Sequence, residues 1–290
     1  MSRKPGAANV TRAAARVLPA KLSAGELRRE LSARNLALAG VLPHETTIGD
    51  IPSVVYQEQD GLHGNFVAPS YRRICASPDW NRRLKKSYTA NHQVPRSADR
   101  TRRELDCANS SDALLMNIFC YPGVTSRRSV CSLLGIGAKS RPEFGFHPRV
   151  PFHTGRCDRT EIDLRIDHLL VEAKLTESGF QSARPDLLLR YEALATVFDL
   201  DDLPFSGGFY HFYQLIRGVL AAHHCGMSFV VLCDARRSDH EEAWFRIMRA
   251  VRSCVLRARL GFLTWQELSC ALPGTLQRFL ADKYGIEPAS

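Results

Sequence analysis

The spacing of apolar residues along the chain predicts alternating helices and strands. Leucines recur at helical intervals in residues 23–39, where Ser23 and Glu26 form a capping-box pattern. In residues 143–153 the apolar side chains share one parity, which is typical of a strand. Further helices are expected at residues 110–120, 186–198, 209–223, 239–260 and 274–284, and further strands at residues 160–166, 169–175, 227–233 and 261–264. This order predicts a mixed α/β core.

The segment between residues 160 and 175 predicts a β-hairpin. It reads TEIDLRIDHLLVEAKL, in which apolar and polar residues alternate on either side of Asp167 and His168. A two-residue turn at this pair sets the pairing of the strands, because a slip of one residue would turn the leucines outward. A longer loop stays open as an alternative, since two-residue turns favour Asn-Gly or Asp-Gly.

This register brings ionisable side chains to one face of the hairpin. Asp163 lies opposite Glu172, and Glu161 lies opposite Lys174. Two carboxylates that close repel one another unless a cation lies between them. Oxygen ligands suit Mg²⁺, and a bound Mg²⁺ can activate an attacking water. The alternative is an exposed face with cross-strand ion pairs, such as one between Glu161 and Lys174.

The Asp-x8-Glu-x-Lys pattern resembles that of the PD-(D/E)XK phosphodiesterase superfamily, which has the restriction-endonuclease-like fold. The resemblance implies a mixed central sheet of four or five strands flanked by helices. It also implies Asp163 and Glu172 as metal ligands, with the backbone carbonyl of Ala173 as a further ligand. Lys174 would position or activate the water.

The resemblance extends from Phe66 to the C-terminus, where the chain is similar to a branch of uncharacterised bacterial restriction endonucleases. The matching segments are SSDA with Asn117, then TEIDLRI, VEAKLTESGF, YQLIRGVLAAH and FVVLCDAR. It implies that Gln214 lies near the metal or the phosphate. Many members also carry an acid on an upstream helix, for which Asp112 and Glu143 are the candidates, so the number of metals stays open.

The charge of the chain is unevenly distributed. The 290 residues carry a net charge of +9, yet residues 1–105 hold 18 lysines and arginines against 9 acids, and residues 106–290 hold 21 of each. A basic segment beside a neutral body suggests a polyanionic partner, and a merely solvated surface is the alternative. The aromatic residues Tyr71, Trp80 and Tyr88 of this segment are expected to anchor it to the core. The basic residues expected to contact nucleic acid are Arg72, Arg73, Arg82, Arg83, Lys85 and Lys86.

Other features argue against several classes of protein. The nine cysteines are odd in number and include no CxxC pair, which argues against a disulfide framework and a zinc ribbon. No stretch has the length and apolar character of a signal peptide or a membrane span. A cytoplasmic protein without a membrane partner is therefore expected.

The charge distribution predicts a basic, partly flexible N-terminal extension over residues 1–65, and the resemblance implies a nuclease-like domain over residues 66–290. We expect the protein to hydrolyse phosphodiester bonds of double-stranded DNA with Mg²⁺, for which Mn²⁺ could substitute. An endonuclease is favoured over an exonuclease. The alternative is a nucleic-acid-binding protein that retains the nuclease fold without catalysis. Restriction enzymes often dimerise, which makes a homodimer an option, although no sequence signal sets the oligomeric state.

Overall fold

The computed structural model describes residues 20–40, 42–47, 50–86 and 103–289. Its helices are α1 (Ala24–Ala39), α2 (Ala68–Ala76), α3 (Pro78–Arg83), α4 (Ser111–Phe119), α5 (Arg128–Leu134), α6 (Pro185–Leu188), α7 (Leu194–Val197), α8 (Tyr213–Cys225), α9 (Ser238–Ala250), α10 (Cys254–Arg257), α11 (Trp265–Cys270) and α12 (Gly274–Tyr284). Its strands are β1 (His44–Thr46), β2 (Val54–Tyr56), β3 (Glu58–Gln59), β4 (Leu62–His63), β5 (Glu143–Phe146), β6 (Ile162–Ile166), β7 (Leu169–Ala173), β8 (Ser182–Ala183), β9 (Phe205–Ser206), β10 (Phe209–His211), β11 (Ser228–Cys233) and β12 (Leu260–Thr264). Among these helices, none is long and apolar enough to cross a membrane.

The central sheet has five strands in the order β12, β11, β7, β6, β5. Strand β11 runs parallel to β7 and to β12, whereas β6 runs antiparallel to β7 and to β5. The almost wholly apolar sequence of β11 suits this place, because strands with parallel neighbours are buried on both faces. The mixed sheet with its flanking helices confirms the predicted α/β core.

The hairpin of β6 and β7 has the predicted register. Leu164 pairs with Val171, and the strands are joined by a two-residue turn at Asp167 and His168. Asp167 adopts a left-handed φ of 56°, a conformation that aspartate tolerates better than most residues. Its carboxylate accepts the backbone N–H of Gly137 at 2.8 Å. The two-residue turn is therefore held by an aspartate, without the usual glycine.

Helices cover both faces of the sheet. On one face α8 and α9 contribute the fully buried Leu215 and Ile247 to a hydrophobic cluster. On the other face α1 and α12 contribute Leu27 and Leu280 to a second cluster, together with α4 and α11. Part of the predicted N-terminal extension thus packs on the sheet through α1. The domain division at residue 65 stays a prediction.

Side-chain caps mark the starts of two of the predicted helices. The Ser23 hydroxyl accepts the N–H of Glu26, and the Glu26 carboxylate accepts the N–H of Ser23. At α4 the hydroxyl of Ser110 accepts the N–H of Ala113 at 3.2 Å. These bonds satisfy N–H groups that lack a partner within the helix, so they define the helix starts locally.

Three predicted elements are wrong in type or extent. Residues 186–198 form the short helices α6 and α7 instead of one helix, because the backbone of Tyr191 between them pairs with Phe152. The predicted helix at residues 209–223 begins as strand β10, and α8 starts only afterwards. The strand predicted at residues 143–153 ends early, as β5.

The long helix predicted at residues 239–260 is also wrong. Helix α9 ends at Ala250, because Val251 is extended and forms a β-bridge with Phe198. A new helix, α10, then begins under the cap of Ser253, whose hydroxyl accepts the N–H of Leu256. A tertiary pairing thus interrupts a segment whose periodicity alone favours one continuous helix.

Candidate active site

Strands β6 and β7 separate at one end of their hairpin, and the candidate catalytic residues lie there. The ladder of paired residues ends at Leu164 and Val171. Beyond that pair the Asp163 carboxylate accepts the backbone N–H of Ala173 at 2.8 Å. A side chain thus takes the place that a backbone carbonyl would occupy in a continued ladder. Asp163 is thereby held against the end of β7.

Glu172 and Lys174 form a buried ion pair at the end of β7. The ammonium nitrogen of Lys174 lies 2.8 Å from Glu172 Oε1, and the side chains of Lys174 and Glu172 are 6% and 2% exposed. Burial opposes the charge of Lys174, but the carboxylates of Glu172 and Glu177 outweigh it and raise the pKa of Lys174. Lys174 is therefore a protonated hydrogen-bond donor at neutral pH. The alternative ion pair with Glu161 is not formed, because Glu161 binds Arg83.

The backbone of Lys174 is bonded in two directions. Its N–H donates to the carbonyl of Leu232 on β11 at 2.8 Å. Its carbonyl accepts the indole N–H of Trp265, the first residue of α11, at 2.8 Å. Strand, neighbouring strand and helix together fix the position of this residue.

The carboxylates of the half-buried Asp163 and the buried Glu172 lie close enough to repel one another. Burial, Glu172 and Asp112 raise the pKa of Asp163 well above its usual range. The N–H of Ala173 and the charge of Lys174 oppose that rise without cancelling it. A cation between the carboxylates would remove the repulsion.

The oxygen atoms around this charge suit a hard cation. Asp163 uses Oδ2 and Glu172 uses Oε1 in the bonds described above, and the other oxygen of each carboxylate has no hydrogen-bond partner in the described part of the chain. The carbonyl of Ala173 faces β6 as its N–H does, because both groups of a strand residue point to the same side. Carboxylate and carbonyl oxygens are the ligands that Mg²⁺ prefers. Within the described residues, no group of three or more His, Cys, Asp or Glu side chains is placed to hold a metal.

The carboxylate of Asp112, in the first turn of α4, is already neutralised. It accepts hydrogen bonds from Arg83 at 2.9 Å and from Lys86 at 2.8 Å. Burial opposes its charge, but these two cations outweigh burial and lower the pKa of Asp112. Arg83 also contacts Glu161 at 2.6 Å. Of the two candidates for an upstream acid, Asp112 is thus the one that lies near Asp163.

The other candidate, Glu143, lies on edge strand β5. Its carboxylate is 2.6 Å from the guanidinium of Arg165, and both side chains are partly exposed. The pair is a cross-strand contact, since Glu143 and Arg165 are partners in the register of β5 and β6. Glu143 therefore stabilises the sheet edge.

The basic cluster expected to contact DNA divides into two groups. Arg83 and Lys86 point inward to the carboxylates. Arg73 donates to the carbonyl of Cys120 at 3.3 Å, near the C-terminal end of α4, and lies 5.4 Å from the ring centre of Trp80. The exposed residues with no such inward contact are Arg72, Arg82 and Lys85. These three remain accessible to a phosphate, and nucleic-acid binding by the cluster stays a prediction.

The aromatic residues of the same segment anchor it to the core, as expected. Tyr71 and Trp80 are each 6% exposed. The indole N–H of Trp80 donates to the carbonyl of Pro142 at 3.0 Å. Tyr88 lies outside the described residues, as do residues 1–19 and the rest of 87–102.

Gln214 lies in the first turn of α8, beside a ring that borders Lys174. Its backbone N–H donates to the carbonyl of Phe180 at 3.0 Å, and the Phe180 ring centre is 5.7 Å from the Lys174 nitrogen. The amide side chain is partly exposed and makes no hydrogen bond within the described residues. Gln214 is therefore placed at the border of the site with its amide available.

Glu177 supports the site from the loop after β7. Its two oxygens accept the hydroxyl of Ser111 at 2.7 Å and the N–H of Leu175 at 2.6 Å. Both oxygens are thus occupied by neutral donors. Glu177 ties the end of β7 to α4 and adds negative charge near Lys174.

Phe180 and His240 complete the surroundings of Lys174, and the sequence did not predict them. Their ring centres are 5.0 Å apart. Burial and the charge of Arg237 lower the pKa of His240 to about 4, so this histidine is neutral at physiological pH. No local motif signals its role, because His240 reaches the site only through the packing of α9.

Comparison with known proteins identifies the family of the chain. No curated protein and no solved structure matches the chain significantly. A family model described as a restriction endonuclease associating with ARP matches residues 41–285, a range that contains the whole central sheet and every candidate site residue. This match confirms the resemblance to restriction endonucleases and supports a nuclease. The chain belongs to this family, whose description is restriction endonuclease associating with ARP.

Proposed function

We propose that this protein hydrolyses phosphodiester bonds of DNA with a divalent cation bound by Asp163 and Glu172. The observation that carries the proposal is the convergence of these two carboxylates with Lys174 where β6 and β7 separate. The family supports a nuclease. Its description as a restriction endonuclease also supports internal cleavage of double-stranded DNA. A homodimer and a cytoplasmic location stay predictions.

The donor atoms fit Mg²⁺, with Mn²⁺ as a substitute. Asp163 and Glu172 each offer one oxygen without a hydrogen-bond partner in the described part of the chain. The Ala173 carbonyl faces β6, the strand that carries Asp163. Burial raises the pKa of Asp163, and the negative charge of Glu172 raises it further; a cation would balance that charge. When bound, the cation would lower the pKa of a coordinated water and screen the charge of the phosphoryl oxygens.

Lys174 acts as a donor and a positive charge in this proposal. Because Glu172 holds it protonated, its ammonium can orient a water and stabilise the negative charge that develops on the phosphoryl group. It is not available to remove a proton. Gln214, at the border of the site, can donate its amide to a phosphoryl oxygen.

Cleavage of three DNA forms tests the proposal. Supercoiled plasmid, linear duplex and single-stranded DNA are incubated with Mg²⁺, with Mn²⁺ or with EDTA. We expect nicked or linear plasmid only when a metal is present. Lys174→Ala and Asp163→Asn should each lower the cleavage rate by about 100-fold or more while DNA binding persists. Lys21→Ala, which removes an exposed lysine, is the matched control.

Two results would contradict this function. One is full activity of Lys174→Ala, and the other is no metal-dependent cleavage of any DNA form by the wild type. DNA binding without cleavage would instead support a non-catalytic protein that retains the nuclease fold. Calorimetry adds a separate readout, because Mg²⁺ binding should disappear in Asp163→Asn.

A further inference from the structure

An arginine-lined cleft lies in the connection between β5 and β6. It consists of two adjoining recesses of about 630 Å³ and about 310 Å³, which share Cys157 and Arg159. In the described part of the chain, the other lining residues are Gly155 and Arg156 in the larger recess and His147 and Arg149 in the smaller one. Among the described residues, no acidic side chain lines either recess.

The arginines of this cleft lack a counter-charge. Arg149, Arg156 and Arg159 are exposed, and none has a carboxylate partner in the part of the chain that the structure describes. Arg165 on neighbouring β6, by contrast, pairs with Glu143 at 2.6 Å. Three uncompensated guanidinium groups around one concave surface create a local positive potential that favours an anionic ligand.

The one acidic residue in the connection between residues 147 and 160, Asp158, is turned inward. Its side chain accepts the hydroxyl of Tyr191 at 2.7 Å and the N–H of Thr160 at 2.8 Å. The hydroxyl of Thr160 also donates to this carboxylate. Burial opposes the charge of Asp158, but the hydrogen bonds from Thr160 and Tyr191, with a smaller contribution from Arg217, outweigh burial and lower the pKa of Asp158. Its carboxylate therefore holds the loop together and does not pair with the arginines of the cleft.

Backbone hydrogen bonds hold the loop in one conformation. The N–H of Phe152 donates to the carbonyl of Arg156 at 2.8 Å, and the N–H of Asp158 donates to that of Val150 at 2.8 Å. Gly155 at the turn has a φ of 72°, which glycine adopts without strain. The arginines are thus displayed from an ordered backbone, which lowers the entropic cost of ordering the loop on binding.

The cleft is joined to the candidate active site by the chain and by hydrogen bonds. Arg159 precedes Asp163 by four residues, which span at most about 14 Å of extended chain. Tyr191, which holds the loop, shares a hydrogen bond of 2.9 Å with Tyr213, and Gln214 follows directly. A polyanion in the cleft would therefore pass close to the carboxylates.

We propose that this cleft binds the sugar–phosphate backbone of duplex DNA next to the bond that is cleaved. The choice of DNA rests on the proposed function. Guanidinium groups bind phosphate oxygens through paired hydrogen bonds, and this mode suits exposed arginines without a carboxylate partner. The cleft is separate in sequence from the basic cluster around Arg82 and offers the substrate a second positively charged surface.

Duplex binding in EDTA tests the cleft apart from catalysis. The cleft variant combines Arg149→Gln, Arg156→Gln and Arg159→Gln. The control variant combines Arg128→Gln, Arg257→Gln and Arg278→Gln, which removes three exposed arginines that also lack a carboxylate partner among the described residues. Affinity for a labelled duplex is measured by fluorescence anisotropy over a series of salt concentrations, and circular dichroism checks the fold of both variants.

The cleft variant should bind more weakly than the wild type. The slope of log K against log salt should also become less steep by about 0.9 for each phosphate that an arginine no longer neutralises. The control variant should keep the wild-type slope. Should the triple variant fail to fold, Arg156→Gln alone replaces it. The Arg156 side chain makes no hydrogen bond within the described residues, so its removal should leave the fold intact. The slope of this variant should become less steep by about 0.9, the value for a single phosphate.

Equal affinities and slopes for the cleft and control variants would overturn the proposal, as would stronger competition by single-stranded DNA or RNA than by duplex. The outcome is separable from that of the proposed function. Loss of duplex binding in the cleft variant, with no cleavage by the wild type, would support the DNA-binding cleft and contradict the nuclease activity. Metal-dependent cleavage by the wild type, with unaltered binding by the cleft variant, would support the nuclease activity and contradict the cleft.

Discussion

The ammonium of Lys174 and the carboxylate of Glu172 lie 2.8 Å apart with both side chains almost fully excluded from solvent. Charges in such a setting are costly unless they are paired, because burial removes their hydration. The candidate active site is therefore also a place where single substitutions change the free energy of unfolding. Stability measurements can test its electrostatics without any substrate.

Asp163→Asn should stabilise the metal-free protein. Burial and Glu172 raise the pKa of Asp163, so the folded protein binds a proton there more tightly than the unfolded chain does. This contribution to stability is complete below the unfolded pKa, near 4, and is lost as the pH rises through the raised folded pKa. Asparagine carries no charge and can still accept the N–H of Ala173.

The measurement is thermal unfolding in EDTA at several pH values. From about pH 4 upward, the wild type should lose stability relative to Asp163→Asn by at most about 1.4 kcal/mol per pH unit. Asp201→Asn, which removes an exposed carboxylate, is the control, and its stability should change with pH as that of the wild type does. A variant less stable than the wild type at neutral pH would show that Asp163 is not under electrostatic strain.

Arg83→Gln should destabilise the fold. Arg83 bridges Asp112 and Glu161, and its side chain is 10% exposed. Removing one partner of a buried ion pair costs roughly 3–5 kcal/mol. The neighbouring Arg82→Gln removes an exposed pair with Asp79, for which we expect less than about 1 kcal/mol. Urea denaturation measures both, and equal midpoints would mean that Arg83 is free to contact substrate.

Lys283→Met should flatten the pH dependence of stability above neutral pH. The Lys283 ammonium lies 2.7 Å from Asn35 Oδ1 and 4.2 Å from the ring centre of Tyr56, and burial lowers the pKa of Lys283 to about 7. Between pH 7 and the unfolded pKa near 10.4, the unfolded chain binds the proton more tightly. Wild-type stability should therefore rise with pH in this window.

The comparison uses chemical denaturation between pH 6 and pH 10. The methionine variant should be the more stable protein at pH 7, and the difference should shrink by up to about 1.4 kcal/mol for each pH unit above it. Lys21→Met serves as the exposed control. Parallel curves for the wild type and Lys283→Met would show that the lysine is hydrated in the folded state.

Gly218→Ala should loosen the packing of α8 on β11. A methyl group at Gly218 would lie 2.2 Å from Cζ of the Phe229 ring. Alanine is otherwise the better helix former by about 1 kcal/mol, so a net loss of roughly 1–3 kcal/mol would report the clash. Gly274→Ala, where a methyl group meets no atom within 4 Å, is the control. Adding Phe229→Leu should restore stability; no loss in Gly218→Ala would mean that the ring can move aside.

The hairpin that carries Asp163, Glu172 and Lys174 is predictable from the sequence because strand alternation encodes register locally. Each residue is assigned to a face by its immediate neighbours, and the turn at residues 167–168 then sets which residues oppose one another. The order of helices and strands likewise predicts the mixed α/β core that the structure shows. Neither pattern shows that the ladder stops before Asp163, since that depends on the carboxylate replacing a backbone acceptor.

Partners that are distant in sequence explain what could not be predicted. Arg83 belongs to a basic run that suggests a solvent-facing surface, yet its acids, Asp112 and Glu161, come from α4 and from the residue before β6. The arginine-lined cleft could not be predicted either, because an acid near its arginines in sequence suggests that their charge is balanced. Asp158 lies among its arginines in sequence, and only the hydrogen bond with Tyr191 shows that the acid is turned inward.

The two backbone bonds of Lys174, to Leu232 and to Trp265, anchor the site in the middle of the sheet. Its amide hydrogen should exchange with solvent when β7 and β11 part at this end of the strand. We therefore expect the site to lose its structure together with the pairing of β7 and β11. On warming, activity should be lost in the same transition in which the amide of Lys174 loses its protection from exchange. Residual activity would then report the fraction of folded protein.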